Sequence, residues 1–179
     1  MRFSSIIVGS MLAVAATCAS HGETGDSVRG RQEDMKTMSM AAKQLSGYFS
    51  GKRTYDVDDF IASAKEISAR SGNRLSARFT TDIAAEGSNA SPSIIDDRTK
   101  FDALARDLER YSRQVADSAK GGDMLPPEMK MRSGEVLEGG PFARKKANAD
   151  IASFSSEHAF HMMLQTCTAC HAAFRLKRQ

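Results

Sequence analysis

The sequence predicts an all-α fold, an antiparallel four-helix bundle, from its periodicity and its composition. Four segments carry apolar residues at helical spacing, and no segment alternates in the manner of a β-strand. The chain of 179 residues is 26% charged and contains ten methionines but only four prolines, a composition that favours helices. Its length fits one domain, and four amphipathic helices in one domain most simply pack as a bundle.

The first two helices are predicted in the N-terminal half of the chain. Residues 27–49 show one apolar stripe that includes Val28 and Met35. A second helix is predicted to begin near Asp56, and its apolar pattern can be followed as far as Phe79. Residues 81–95 are rich in Gly, Ser, Asn and Pro, so they are expected to form a long connection.

The other two helices are predicted over residues 96–120 and 150–178. The third has the clearest apolar face and ends at Gly121-Gly122. Between them, residues 121–148 form a loop that is longer than a bundle needs. Its methionines, Met124, Met129 and Met131, could bind copper(I), although a hydrophobic patch is the more ordinary interpretation.

Residues 1–20 are predicted to be a signal peptide. Arg2 precedes an apolar stretch, and small residues follow it. The stretch is too short to cross a bilayer as a helix. Lipid attachment at Cys18 is a less favoured alternative.

The net charge of +3 is too small to indicate nucleic-acid binding. The mature chain, residues 21–179, is therefore expected in the periplasm, without a transmembrane segment.

The sequence Cys167-Thr168-Ala169-Cys170-His171 is the C-x-x-C-H signature of c-type haem attachment. Each thiol can form a thioether with one vinyl group of a single haem, and His171 can then bind the iron axially. A zinc site would need two more ligands at suitable spacing, and a thioredoxin-like pair would need a βαβ context. The motif therefore predicts one covalently bound haem c with its iron, and export agrees with it because this haem is attached outside the bacterial cytoplasm.

The haem is expected on the inner face of the fourth helix. At 100° per residue, several side chains fall within about 60° of His171 and make the attachment face the bundle-facing one: Phe160, Leu164, Cys167, Phe174, Arg175 and Arg178. By the same geometry His158 and His161 point away from that face, so both are expected to be exposed or half-buried and not to bind iron.

With the motif placed on the last helix, residues 27–178 resemble the cytochrome c′ family. The segment from Arg31 to Met38 resembles its first-helix pattern, and the ending Cys167, Cys170, His171, Phe174, Arg175, Lys177 resembles its C-terminal one. Weaker likenesses lie between them: Gly51, Tyr55-Asp56, Phe79, Ser91-Pro92, Ile94 and Phe101. The chain departs from the family at Ile95, where a Trp is common, and in the long loop 121–148.

The resemblance implies that Met35 lies over the open face of the haem. Low-spin relatives have a Met ligand there, and high-spin relatives have a side chain that blocks the iron without binding it. Met35 is thus the expected distal iron ligand, with Met38, one turn further on, as the alternative. Arg175 follows His171 by one turn and Arg31 precedes Met35 by one turn, so both could contact a propionate or the haem edge.

These observations together predict a periplasmic monohaem electron carrier with His/Met axial ligation. The alternative is a high-spin cytochrome c′ whose distal site binds NO or CO. No distal acid/base pair suited to peroxide chemistry is recognisable, so an enzyme is not expected. Exposed Lys and Arg could steer an acidic redox partner, and the resemblance makes a homodimer possible.

Overall fold

The computed structural model describes residues 20–132 and 151–176, with side chains from residue 27 onward. The predicted signal peptide up to residue 19, the alternative at Cys18, residues 133–148 of the long loop, and Lys177 and Arg178 lie outside the described residues. Within them the chain forms six α-helices, two single-turn 3-10 helices and one isolated bridge between Ala90 and Arg175.

Four long helices form the bundle, and two short helices lie between them. In chain order the six are α1 (Ser20–Phe49), α2 (Val57–Ser68), α3 (Gly72–Ala77), α4 (Ser93–Asp96), α5 (Arg98–Asp117) and α6 (Ser156–Phe174). Helix α5 packs against α6, α2 and α3, and α1 packs against α2. The predicted all-α four-helix bundle is confirmed.

Side-chain caps determine where three of the long helices begin. Asp56 accepts a hydrogen bond from the backbone N–H of Asp59 at 2.8 Å, and Asp97 caps α5 in the same way. Such caps satisfy backbone donors that a helix leaves open. Ser155 caps α6, so this helix begins at Ser156 and not near residue 150 as predicted. A 3-10 turn, Ile151–Ser153, precedes it.

The described part of the long loop, residues 121–132, packs on the end of the bundle through Met129. This side chain is 1% exposed, and its sulfur accepts a hydrogen bond from the backbone N–H of Lys120 at 3.2 Å. The hydroxyl of Tyr55 lies 3.3 Å from the same sulfur. Met124 is 71% exposed, whereas Met129 is packed into the end of the bundle.

The connection over residues 81–95 pairs with the end of α6. The backbone N–H of Ser91 donates to the carbonyl of Phe174 at 2.8 Å, and that of Leu176 donates to Asn89 at 2.9 Å. The hydroxyl of Ser93 donates to the carbonyl of Ala173 at 3.1 Å. The C-terminal turn of α6 is therefore fixed to the segment that enters α5.

Candidate haem site

A cavity of about 500 Å³ opens between α1 and α6. Met35 lines it from α1, and Cys170 and His171 line it from α6. Three aromatic rings lie along it in a chain: Phe79 packs on Phe101 with 5.2 Å between centroids, and Phe101 packs on Phe174 with 5.4 Å. The bundle thus brings the predicted distal residue and the C-x-x-C-H motif to one space.

The cavity lies away from the point where α1 and α6 touch. Phe49 and Phe160 touch there, with 5.1 Å between ring centroids. Met35 lies fourteen residues before Phe49, and His171 lies eleven residues after Phe160. The helices are antiparallel, so both residues stand about 16–21 Å from the ring contact at 1.5 Å per residue. At that end the gap between the two helices is the cavity.

Cys167 and Cys170 are free thiols on adjacent turns of α6, and both are half-buried. Cys170 lines the cavity, whereas Cys167 packs against the hydrophobic core beside it. Burial raises the pKa of each thiol to about 11, so both are protonated near neutral pH. This is the state from which addition of S–H across a vinyl group yields a thioether without a leftover charge.

His171 follows Cys170 directly and lines the same wall. Desolvation in this wall, and then the positive charge of Arg175, lower the pKa of its imidazole. The neutral imidazole is thereby favoured, and this is the form that binds a metal ion. The backbone carbonyl of His171 accepts from the N–H of Arg175 at 3.2 Å, so His171 stands on the last turn of α6.

Met35 is half-buried in the opposite wall. Val28 lies beside it on the cavity side of α1, and Gln32, Lys36 and Ser39 extend this wall. Met38 does not line the cavity: it is 7% exposed in the core. Of the two methionines proposed as iron ligands, Met35 alone faces the motif among the described cavity residues.

Arg31 lines the cavity but its guanidinium is already engaged. One terminal nitrogen donates to the carbonyls of Arg78 and Thr81 at 3.2 and 3.3 Å. The other donates to the carbonyl of Asp82 at 2.9 Å and to the hydroxyl of Ser88 at 3.5 Å. Desolvation lowers the pKa of Arg31, which nevertheless remains charged. These contacts tie α1 to residues 78–88. Any contact of Arg31 with a propionate would be additional to this structural role.

Arg175 differs from the buried Arg31, since its side chain is exposed at the cavity rim. Its backbone is held by the bridge to Ala90, which leaves the guanidinium at a site where a propionate could be reached. Sequence reasoning missed several polar residues that line the cavity, Lys36 and Asn89 among them. The position of Lys36 directly after Met35 was a usable signal for the first, but Asn89 is brought there only by its pairing with Leu176.

The two upstream histidines stand outside the cavity. His161 is half-buried as expected. The prediction that His158 is exposed or half-buried is wrong: it is 5% exposed and stacks on Phe154 with 4.1 Å between centroids. The helical wheel failed here because the face of α6 opposite the haem is covered by Phe154, which comes from the chain before the helix.

The residues present fit a haem c. Two thiols one turn apart, a neutral imidazole on the next residue and an apolar aromatic border supply the donor set that covalent attachment and axial binding require. The cavity volume lies within the range of about 300–1,000 Å³ typical of ligand pockets. Cys167 and Cys170 would hold the macrocycle and His171 its iron, and the bound haem would supply redox chemistry and a site for a further ligand.

A family model described as cytochrome C′ matches residues 26–136, which is more than half of the chain. The chain belongs to the cytochrome c′ family. The match covers α1 to α5 and ends before the C-x-x-C-H motif, so the family assignment and the motif are separate observations. No curated protein matches the chain in sequence.

Solved structures of cytochromes c′ have the same fold. A variant of the protein from Rhodopseudomonas palustris aligns with a TM-score of 0.61 and 23% identity, over 85% of this chain and 98% of its own. Cytochrome c prime from Shewanella frigidimarina aligns at 0.60 and 16%, over 88% and 100%. The nitric oxide complex of a variant from Alcaligenes xylosoxidans aligns at 0.59 and 21%, over 86% and 97%.

This cytochrome c′ therefore carries one covalently attached haem c with iron, on its C-terminal helix, as predicted from the motif. The family and the bundle predictions are both confirmed. Among the described helices, none is long and apolar enough to cross a membrane.

Proposed function

We propose that this cytochrome c′ binds a small diatomic gas, NO or CO, at the haem face opposite His171. The observation that carries the proposal is the position of Met35 in the cavity wall across from His171. A side chain there can cover the iron and so control which small molecules reach it. The nitric oxide complex of the Alcaligenes xylosoxidans relative supports the choice of ligand.

The residues around Met35 include both apolar and polar side chains. The apolar side chains of Val28 and Phe79 border the cavity near α1, and Gln32, Lys36 and Ser39 lie along the same wall. The guanidinium of Arg31 lies over the ring of Phe79 at 5.1 Å and is held by backbone carbonyls. We therefore assign His171 to iron binding, Met35 to covering the open face and Arg31 to holding α1 in place.

The second candidate function is the periplasmic electron carrier with His/Met ligation. It uses the same position of Met35, because a thioether can bind haem iron and raise its potential. The two candidates differ in one respect only, which is whether the sulfur of Met35 bonds to the iron or stands beside it.

The optical spectrum of the haem-loaded protein, with and without NO, distinguishes the two. We expect a high-spin ferrous spectrum that changes on addition of NO. Met35→Leu conserves volume but removes the sulfur, so it should leave the spin state unchanged, and Met35→Ala should speed NO binding. Met40→Ala is the matched control, since Met40 is 51% exposed on the same helix. A low-spin wild type that Met35→Leu converts to high spin would overturn gas binding in favour of the electron carrier.

We also propose a periplasmic location after removal of an N-terminal signal peptide, because c-type haem is attached outside the bacterial cytoplasm. Haem staining of periplasmic and cytoplasmic fractions tests this. The proposal assigns no catalysed reaction. An acidic redox partner and a homodimer stay predictions, and light scattering at two protein concentrations would test the dimer.

A further inference from the structure

Asp34, directly before Met35 on α1, is a buried carboxylate surrounded by arginines. The residue is 8% exposed. Its oxygens lie 3.1 Å from Nε of Arg78, 3.4 Å from Nε of Arg70 and 3.9 Å from a terminal nitrogen of Arg74. These three arginines lie in or beside α3, so Asp34 ties α1 to the segment that follows α2.

Arg78 makes the closest of these contacts and is held to α1 at two further points. Its backbone carbonyl accepts a hydrogen bond from Arg31 at 3.2 Å. Its guanidinium crosses α1 at Gly30, where a Cβ would stand only 2.9 Å from a terminal nitrogen. The contacts of Gly30, Arg31 and Asp34 with Arg78 span one turn of α1.

This turn helps to set the orientation of Met35, together with the packing of α1 on α2. An α-helix rotates as a unit, because its backbone hydrogen bonds link each residue to the one four positions away. A rotation of α1 that moved Met35 toward or away from α6 would break the Asp34–Arg78 ion pair and pull Arg31 from its carbonyls. Helix α1 touches α6 itself only sparsely beyond the Phe49–Phe160 contact, so that neighbour cannot fix the rotation.

We propose that Asp34 and Arg78 form a positioning clamp that holds Met35 over the haem and thereby sets how easily a ligand reaches the iron. The inference rests on the proposed role of Met35. Asp34 and Arg78 act through Met35 and do not line the cavity.

Two substitutions loosen the clamp in different ways. Asp34→Asn removes the carboxylate charge and with it the ion pairs to Arg78 and Arg70, whose side chains are 37% and 24% exposed and so keep contact with water. Gly30→Ala removes no charge, favours the helix and displaces only the end of the Arg78 side chain. If Asp34→Asn fails to fold, Gly30→Ala alone decides the outcome.

The experiment measures NO association with the haem-loaded full-length chain by stopped flow. We expect both variants to bind NO faster by about twofold to thirtyfold, the range that residues coupled to a site without touching it produce. In a Met35→Ala background the same substitutions should have no effect on this rate, because no side chain remains to be positioned.

Two control variants leave the clamp intact. Glu66→Gln removes another carboxylate partner of Arg70 that does not belong to α1. Gly47→Ala adds a methyl group to α1 near Arg53 at the other end of the helix. Both should bind NO at the wild-type rate.

The clamp and the proposed function fail in different ways. If Met35 proves to be an iron ligand, gas binding as proposed fails, but the clamp predicts that Asp34→Asn and Gly30→Ala shift the iron toward high spin. The clamp is overturned if rate and spectrum are both unchanged in these variants, or if the change persists undiminished in the Met35→Ala background.

Discussion

The rings of Phe49 on α1 and Phe160 on α6 pack with their centroids 5.1 Å apart and their planes inclined by 35°. This contact closes the end of the bundle that is remote from the haem cavity. Phe160 is 3% exposed, and Phe49 also packs on Phe60 at 5.5 Å. The pair therefore joins α1 to α6 at a distance from the cavity.

Phe160→Ala should destabilise the bundle by about 3–5 kcal/mol, the usual cost of removing a buried ring. The midpoint of urea unfolding measures this loss. Phe160→Leu should cost clearly less because it leaves a smaller void. The C-x-x-C-H turn lies far along α6, so the haem spectrum of the folded variants should match the wild type; an altered spectrum would show that the ring contact also sets the cavity geometry.

The two thiols should each carry one thioether. Cys167→Ser or Cys170→Ser alone is expected to leave haem attached through the remaining sulfur. The double variant should retain no haem after denaturation, because no covalent bond to the macrocycle remains. Haem staining on a denaturing gel and the mass of the intact protein measure this outcome. Haem retained by the double variant would contradict the assignment of both cysteines.

Arg31 and Arg175 should differ in what they contribute. Arg31→Ala removes four hydrogen bonds from its two terminal nitrogens to the segment 78–88, so it should cost at least about 2 kcal/mol of stability. Arg175→Ala, on the exposed rim, should change stability by no more than about 0.5 kcal/mol. Unfolding midpoints of the haem-loaded proteins test both. An Arg31 variant with normal stability and a shifted reduction potential would instead make this residue a haem-edge contact.

Alanine substitutions at Gly72 and Gly51 should distinguish the cost of a steric clash from the cost of backbone strain. Both have positive φ, +60° and +68°. A Cβ on Gly72 would overlap the Glu109 carboxylate, whereas a Cβ on Gly51 would meet no atom within 4 Å. Gly51→Ala should cost about 1–2 kcal/mol from the left-handed backbone alone, and Gly72→Ala should cost more. Equal unfolding midpoints for the two variants would refute the clash.

Local patterns in the sequence were sufficient for the starts of two long helices and for the cofactor. The starts of α2 and α5 follow from Asp56 and Asp97, which cap their own helices and need no distant partner. The haem follows from Cys167, Cys170 and His171 because the attachment chemistry needs only neighbours on one helix. Features that depend on two segments were missed or misjudged, such as the burial of His158 under Phe154.

The sequence by itself determined that one haem is attached, that it stands on the last of four helices, and that a methionine was available on the first. The resemblance favoured Met35 over Met38, and tertiary structure places Met35 in the cavity with His171 and Met38 in the core. It also decided that Arg31 is occupied by the carbonyls of residues 78–82. The reason is physical: periodicity reports which residues share a helix face, but the rotation of one helix against another is set by contacts such as Asp34 with Arg78, which join residues far apart in the chain.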